Sequence, residues 1–300
     1  MKLEELARAI HGARIVGDGS VEIKSLLLDS RKACAGALFA ALPGVKADGA
    51  GYIRDAVANG ASAALAKDEV SGLPVPQIIA PEPRLALAQA AEAFYGNPSR
   101  RLRLVGVTGT NGKTTTAFIL RHLWRTMGWK CGMLGTIIYD DGMQAIEAPL
   151  TTPDSIQFTA ALSAMAENGC RAAAVEMSSN AVAQSRAGGA QLAAAVFTNC
   201  TRDHLDYHLT MENYSSAKAR LFEILESGSA AIINRDDPYS RRMAQNCRGR
   251  VLWYSLQEKA DLSARILSMS LAGSVCDLSW QGRSFRLETP LGGRPNIQNI

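Results

Sequence analysis

Residues 102–127 constrain the fold more than any other stretch. An apolar run at 102–107 leads through Gly106-Val107-Thr108-Gly109-Thr110-Asn111-Gly112-Lys113-Thr114-Thr115 into an amphipathic pattern at 114–127. A strand that turns through glycines directly into a helix offers backbone N–H groups and a positive helix end to an anion. In that setting Lys113 can reach β- and γ-phosphate oxygens, and the Thr114 hydroxyl can hold Mg²⁺. The usual G-x-x-x-x-G-K-[ST] spacing needs glycine at 107; this chain has Val107 there, with glycines at 106 and 109. Because Gly-Lys-Thr-Thr still opens a helix after a strand, a nucleoside triphosphate site remains the expectation.

The residues that follow continue the alternation. Apolar runs at 172–177, 193–198 and 230–234 alternate with helical patterns at 156–167 and 216–225. This order predicts a mostly parallel sheet covered by helices, with ligands beyond the carboxyl ends of the strands. After residue 250, alternating runs at 251–255, 264–271, 276–280 and 284–288 predict an antiparallel edge. Upstream, Pro81-Glu82-Pro83 and Gly96-Asn97-Pro98-Ser99 bracket an Ala/Leu-rich helix and place a domain boundary near residue 100. Residues 1–100 then read as a small α/β domain, with helices at 3–10 and 52–58 and strands at 21–28, 37–42 and 63–66. The expected fold class is therefore α/β: a small amino-terminal α/β domain (1–100), then a phosphate-loop domain built on a mostly parallel sheet (101–300).

Composition narrows the function. With 32 Lys and Arg against 28 Asp and Glu the net charge is +4, scattered without a basic block, which argues against nucleic acid. No apolar run approaches the ~20 residues that span a bilayer, and Glu4 and Glu5 spoil a signal-peptide start, so a cytoplasmic protein without membrane contact is expected. The six cysteines have neither C-x-x-C nor zinc-finger spacing and read as small hydrophobes of a reducing compartment.

Chemistry is sought at the ends of the later strands. Glu176 closes the run 172–176, where a carboxylate can ligate a cation beside the loop. After 193–198 comes Thr198-Asn199-Cys200-Thr201-Arg202-Asp203-His204-Leu205-Asp206-Tyr207-His208, which gathers two of the four histidines. By spacing alone Lys218 belongs to the polar side of a helix, where solvation is the ordinary fate of a lysine.

Together these segments carry a resemblance. Thr108 to Thr115, Glu176-Met177-Ser178-Ser179, Thr198-Asn199 through His208, and Asn213-Tyr214 through Ala217-Lys218-Ala219-Arg220-Leu221-Phe222 resemble the Mur ligases, and within them the MurE branch, over nearly all of 20–300. The resemblance implies an ATP-dependent acid–amino-acid ligase of peptidoglycan synthesis. In this family a carboxylate of the UDP-sugar peptide attacks the γ-phosphate, and an amine then displaces phosphate from the acyl phosphate.

Carried over residue by residue, the resemblance puts ATP on Gly109, Thr110, Asn111, Gly112, Lys113, Thr114, Thr115 and Asn234. It puts Mg²⁺ on Thr114 and Glu176, with a second ion among Glu176, His204 and a carbamylated Lys218. Lys113, Glu176, His204 and Lys218 would be the catalytic set. UDP-N-acetylmuramoyl-L-Ala-D-Glu would meet Leu28, Ser30, Val45, Lys46, Ala47, Thr151, Thr152, Ser178, Gln184 and Arg186. The second substrate is expected to be meso-diaminopimelate or L-lysine, and the chain a monomer.

Two departures stand out. The family's Ser-Ser-His segment is Ser178-Ser179-Asn180 here, and the family's carboxy-terminal, amino-acid-binding domain is expected to be missing, since the chain stops within the hinge-like Pro290 to Asn299. A binding protein for UDP-muropeptide that does not itself catalyse, and a MurT-like or folylpolyglutamate synthase-like ligase, are the alternatives. A GTPase lacks support because there is no Asn-Lys-x-Asp motif.

Overall fold

The computed structural model describes residues 1–44 and 48–300. They form two compact units: Met1–Pro98 with Pro153–Ser163 and Gln184–Ala190, and Ser99–Thr152 with Ala164–Ala183 and Gln191–Ile300.

The first unit is built on β1 (Arg14–Val16), β2 (Ser25–Leu27), β3 (Ala37–Ala40), β4 (Ala63–Ala66) and β5 (Gln77–Ile79), in the order β1-β5-β4-β3-β2. All pairs are parallel except β1 with β5. Strands β3 to β5 are buried throughout, as parallel strands covered on both faces must be. Their alternation divides the core in two. Leu38, Ala40, Leu65 and Ile78 pack with the helices Leu3–Arg8 and Pro83–Phe94, while Phe39, Ala64 and Ala66 pack with the helix Ile53–Ala58.

The second unit holds eleven strands: β6 (Arg103–Thr108), β7 (Cys131–Leu134), β8 (Ile138–Asp140), β9 (Ala145–Glu147), β10 (Ala172–Glu176), β11 (Ala194–Phe197), β12 (Ala230–Asn234), β13 (Arg250–Ser255), β14 (Leu262–Ser270), β15 (Gly273–Trp280) and β16 (Arg283–Thr289). Their order is β16-β15-β14-β13-β12-β11-β6-β10-β7-β8-β9. From β7 to β14 through the centre every pair is parallel, and hairpins extend both edges. Ala174 of β10 packs with Met133 and with Ala117 of the helix Lys113–Thr126. A Cβ on the strand neighbour Gly106 would instead touch Leu221 of the helix Met211–Glu223, so helices cover both faces. The α/β class holds: a five-stranded sheet and an eleven-stranded, mostly parallel one. Among the described residues no helix is long and apolar enough to cross a membrane.

Several boundaries differ from the sequence reading, each for a local reason. The strand expected at 21–28 shrinks to Ser25–Leu27, because Val21 O and Ile23 N pair with Leu3 N and Met1 O around an isolated Lys2–Glu22 bridge. The run 250–255 is parallel to both neighbours and does not begin the antiparallel edge, which starts between β14 and β15. The helix expected at 216–225 begins at Met211, because the Thr210 hydroxyl accepts from Asn213 N at 3.1 Å and caps it. Strands β1, β5, β8 and β9 are three residues long, too short to display a period of two.

One ion cluster ties the central helix to the β7–β9 hairpin. Asp140 of β8 is nearly fully buried and accepts from Arg121 Nε at 2.7 Å, from Arg121 Nη2, and from Arg125 Nη2 at 2.9 Å. Replacing Asp140 with alanine strands a largely buried guanidinium, so urea unfolding of Asp140→Ala should show a loss of about 3 kcal/mol. A loss below about 1 kcal/mol, the range of an exposed pair, would contradict this account of the cluster.

Candidate active site

The loop after β6 is shaped by its glycines and tied down by the end of β11. Gly112 has φ +89°, and a Cβ there would run into the Asn299 carboxamide, so only glycine fits. Asn199 clamps the loop from the neighbouring strand. Its backbone O accepts from Thr110 N at 2.9 Å, its Oδ1 accepts from Asn111 N at 2.9 Å, and its Nδ2 donates to Asn111 O at 3.1 Å. The Thr198 hydroxyl also donates to Asn111 O at 2.6 Å. Lys113 lies over the loop and donates to Gly109 O and Thr110 O, both at 2.9 Å. Burial lowers the Lys113 pKa, and the Glu176 and Asp203 carboxylates partly offset this. Thr115 sits half-buried in the first turn of the helix.

Glu176 ends β10 with no exposed surface. A carboxylate without water requires donors, and here Thr114 Oγ1 donates to Oε2 at 2.8 Å, Thr136 Oγ1 to Oε2 at 3.0 Å and Thr136 N to Oε1 at 2.9 Å. A Cβ on Gly135 would collide with Oε1, so the close approach of this backbone needs glycine. The Thr152 hydroxyl donates to Glu176 O at 2.7 Å and accepts from Ser178 N at 3.2 Å. The structure thus brings Thr114, Glu176, Thr152 and Ser178 together.

Lys218 is not solvated. It is 1% exposed, its Nζ lies 4.2 Å from the centre of the Tyr214 ring, and no acceptor among the described residues is in hydrogen-bond reach. Burial, reinforced by the Lys113 charge, pushes its pKa down to about 7. Tyr214 links this lysine to the phosphate loop, its hydroxyl lying 3.1 Å from Thr110 Oγ1. The two histidines part company. His204, at φ +51° with a half-exposed ring, lies near Asp203 with Nε2 and Oδ2 3.5 Å apart. His208 is buried with Nε2 2.9 Å from Ser179 Oγ, and burial followed by the Lys218 and His204 charges holds it below the usual imidazole range.

The remaining expectations fall elsewhere. Asn234 is buried and its carboxamide is engaged, donating to Thr198 O at 2.7 Å and accepting from Asp236 N at 3.0 Å. Leu28 and Ser30 line a cavity of about 820 Å³ in the first unit, at the carboxyl ends of β2 and β3. Beside them Arg31 holds the Asp29 carboxyl down at about 2, and Asn59 Nδ2 donates to Ser30 O at 3.2 Å. Val45, Lys46 and Ala47 lie outside the described residues. Gln184 and Arg186 belong to the first unit, where Arg186 Nη2 donates to Gln184 Oε1 at 3.0 Å. Sequence reasoning missed Thr136, the clamp role of Asn199 and the half-exposed Tyr52 ring lining the cavity.

Residues 107–300 match the family model described as "Mur ligase middle domain", and residues 22–95 match "Mur ligase family, catalytic domain". The chain belongs to the Mur ligase family. It is 40% identical over 302 residues to the UDP-N-acetylmuramoyl-L-alanyl-D-glutamate–2,6-diaminopimelate ligase of Bacteroides fragilis, and 38% identical over 306 residues to the ligase of that name from Geobacillus kaustophilus. Both alignments cover 100% of this chain and 61% and 62% of the relatives, so the chain spans about three fifths of their length. A solved structure of a ligase with the same name superposes with a TM-score of 0.84 at 32% identity, over 100% of this chain and 61% of that one.

In this Mur ligase chain Thr114 and Glu176 form a donor set that fits Mg²⁺. Thr114 and Glu176 supply a hydroxyl and a carboxylate oxygen 2.8 Å apart, the hard oxygen ligands that Mg²⁺ takes alongside phosphates. No group of three His, Cys, Asp or Glu side chains among the described residues could hold a metal.

Removing the Lys218 amine should stabilise the fold. With a folded pKa near 7 against 10.5 for the free side chain, the desolvation penalty is fully felt below pH ~7 and fades as pH rises toward ~10.5. In buffer purged of carbon dioxide, Lys218→Met should raise the urea midpoint at about pH 6 and do so less at about pH 9. An equal gain at both would contradict the account of the buried amine.

Proposed function

We propose that this chain carries the nucleotide-binding and UDP-substrate-binding parts of an ATP-dependent ligase that acts on UDP-N-acetylmuramoyl-L-Ala-D-Glu in the cytoplasm during peptidoglycan synthesis. The observation that carries this reading is Lys218. It is a buried amine without an acceptor, within electrostatic reach of Lys113, and its pKa is pushed down to about 7. With a pKa of about 7 roughly half of the amine is neutral at neutral pH, and that form can add CO₂, lose a proton and become an anionic oxygen ligand. Names of relatives aligned along the whole chain support the substrate.

In this reading residues 1–100 take the uridine diphosphate end, with Leu28 and Ser30 at the cavity and Tyr52 offering a ring face for the base; Val45, Lys46 and Ala47, which lie outside the described residues, are proposed contacts from the sequence alone. Residues 101–300 take ATP on Gly109 to Thr115 and Asn234. Thr151, Thr152, Ser178, Gln184 and Arg186 hold the muropeptide so that its terminal carboxylate meets the γ-phosphate in line. The carboxylate attacks, ADP leaves, and the amine of meso-diaminopimelate, with L-lysine as the alternative, displaces phosphate. Lys113 swings from Gly109 O and Thr110 O onto the phosphate oxygens and stabilises charge there. Bound at Thr114 and Glu176, and at a second position among Glu176, His204 and carbamylated Lys218, Mg²⁺ would neutralise phosphate charge. The chain works as a monomer in this reading, with no nucleic acid or membrane partner.

The test is calorimetric binding of UDP-N-acetylmuramoyl-L-Ala-D-Glu, with ADP release followed in the presence and absence of diaminopimelate or lysine. Binding is expected, with release dependent on one amino acid if the chain suffices for ligation. Binding without release leaves the binding half of the proposal standing and removes the ligation half. Absence of binding removes both. Lys113→Ala should lower any ADP release by about 10²-fold or more while leaving the UDP-substrate affinity unchanged. Equal loss of both would contradict separate roles. With ¹³C-bicarbonate, a carbamate carbon resonance should appear in the unaltered chain and vanish in Lys218→Ala. Persistence of the signal would assign it to another amine.

A further inference from the structure

The Thr136 hydroxyl touches two groups that belong to different halves of the proposed chemistry. It is 3.0 Å from Glu176 Oε2, on the phosphate side, and 3.2 Å from Thr151 Oγ1, on the muropeptide side. We propose that Thr136 is a positioning residue that couples Thr151 to the charge state at Glu176, so that a cation arriving with the nucleotide prepares Thr151 to donate to an anionic group of the muropeptide. The inference rests on the reading of Glu176 and Thr151 given above.

Proton counting supplies the mechanism. A carboxylate only accepts, and each threonine hydroxyl has one proton. Thr114 and Thr136 both lie in range of Oε2, and a charged acceptor outcompetes a neutral one, so both protons point at Glu176. Thr136 is also the donor in the 3.2 Å contact with Thr151, so while its one proton serves Glu176 that second bond is unmade and the Thr151 hydroxyl is free to turn either way. Positive charge delivered to Glu176 weakens its hold on Thr136. The Thr136 proton is released toward Thr151, and the Thr151 proton turns outward.

The scaffold holds this chain of hydroxyls in place. Gly135 lets the backbone approach Glu176 closely enough for Thr136 N to donate to Oε1 at 2.9 Å. On the other side, Thr152 is buried and fixed to Glu176 O at 2.7 Å, which anchors the residue next to Thr151. Thr136→Val keeps the shape and the backbone N–H bond to Glu176 Oε1 but removes one hydroxyl donor to Oε2 together with the relay, whereas Thr136→Ser keeps both.

The test is calorimetry of UDP-N-acetylmuramoyl-L-Ala-D-Glu with and without saturating Mg²⁺-ADP. In the unaltered chain and in Thr136→Ser, the nucleotide should tighten muropeptide binding by about 5-fold or more, the lower end of ordinary coupling between sites. In Thr136→Val, at a Mg²⁺-ADP concentration shown to saturate that variant, the ratio should fall to one. A ratio of one in the unaltered chain, or an unchanged ratio in Thr136→Val, would overturn the proposal.

A second readout needs no muropeptide. The γ-methyl resonance of Thr151 should shift when Mg²⁺-ADP is added to the unaltered chain and to Thr136→Ser, and stay put in Thr136→Val. A Thr151 signal that ignores the nucleotide in the unaltered chain overturns the coupling. Failure of the muropeptide to bind overturns the functional reading instead, and the methyl signal still decides the relay.

Discussion

Glu176 sits at the end of the central strand with no water around it, and the neighbouring elements are arranged to satisfy it. A buried carboxylate left without donors would cost several kcal/mol. Strand β10 fixes where it lies, the first turn of the helix Lys113–Thr126 supplies Thr114, and the turn after β7 supplies Thr136 twice. The glycine at 135 follows from the same need for close approach, while Thr152 holds its own segment to the Glu176 backbone carbonyl. The carboxylate therefore organises the loops after β6 and β7, at the carboxyl ends of parallel strands, where an α/β sheet gathers its ligands.

A second buried charge is treated in the opposite way. Lys218 receives the face of Tyr214 and no acceptor. A fold selected for stability alone would carry an apolar side chain here. The site instead keeps a strained protonation equilibrium next to the loop that Thr110 and Tyr214 join. Donors offered to the buried carboxylate fix its place, and acceptors withheld from the buried amine give it its reactivity.

Chemistry that is local in the chain was legible in the sequence. Gly109 to Thr115 announces itself because strand, glycines, lysine and helix are contiguous, and Glu176 because it closes an apolar run. The mostly parallel sheet was legible from the same alternation. The burial of Lys218 was not, since helical spacing places it with polar neighbours and only its covering in the fold, with the Tyr214 ring over the amine, removes it from water. The family resemblance, not periodicity, pointed to it. Thr136 and Asn199 escaped because their partners are 40 and 88 residues away along the chain. The parallel pairing of β13 escaped because a strand's own pattern does not state the direction of its neighbour.

The central claim is that the loop after β6 and Glu176 form one phosphate site in which Lys113 moves. A crystal structure of this chain with Mg²⁺ and a non-hydrolysable ATP analogue tests it directly. The account predicts phosphates cradled by Gly109 to Thr114, Lys113 Nζ withdrawn from Gly109 O and Thr110 O onto phosphate oxygen, and the Thr114 hydroxyl turned away from Glu176. Phosphates bound elsewhere, or Lys113 still folded over the loop beside them, would contradict it.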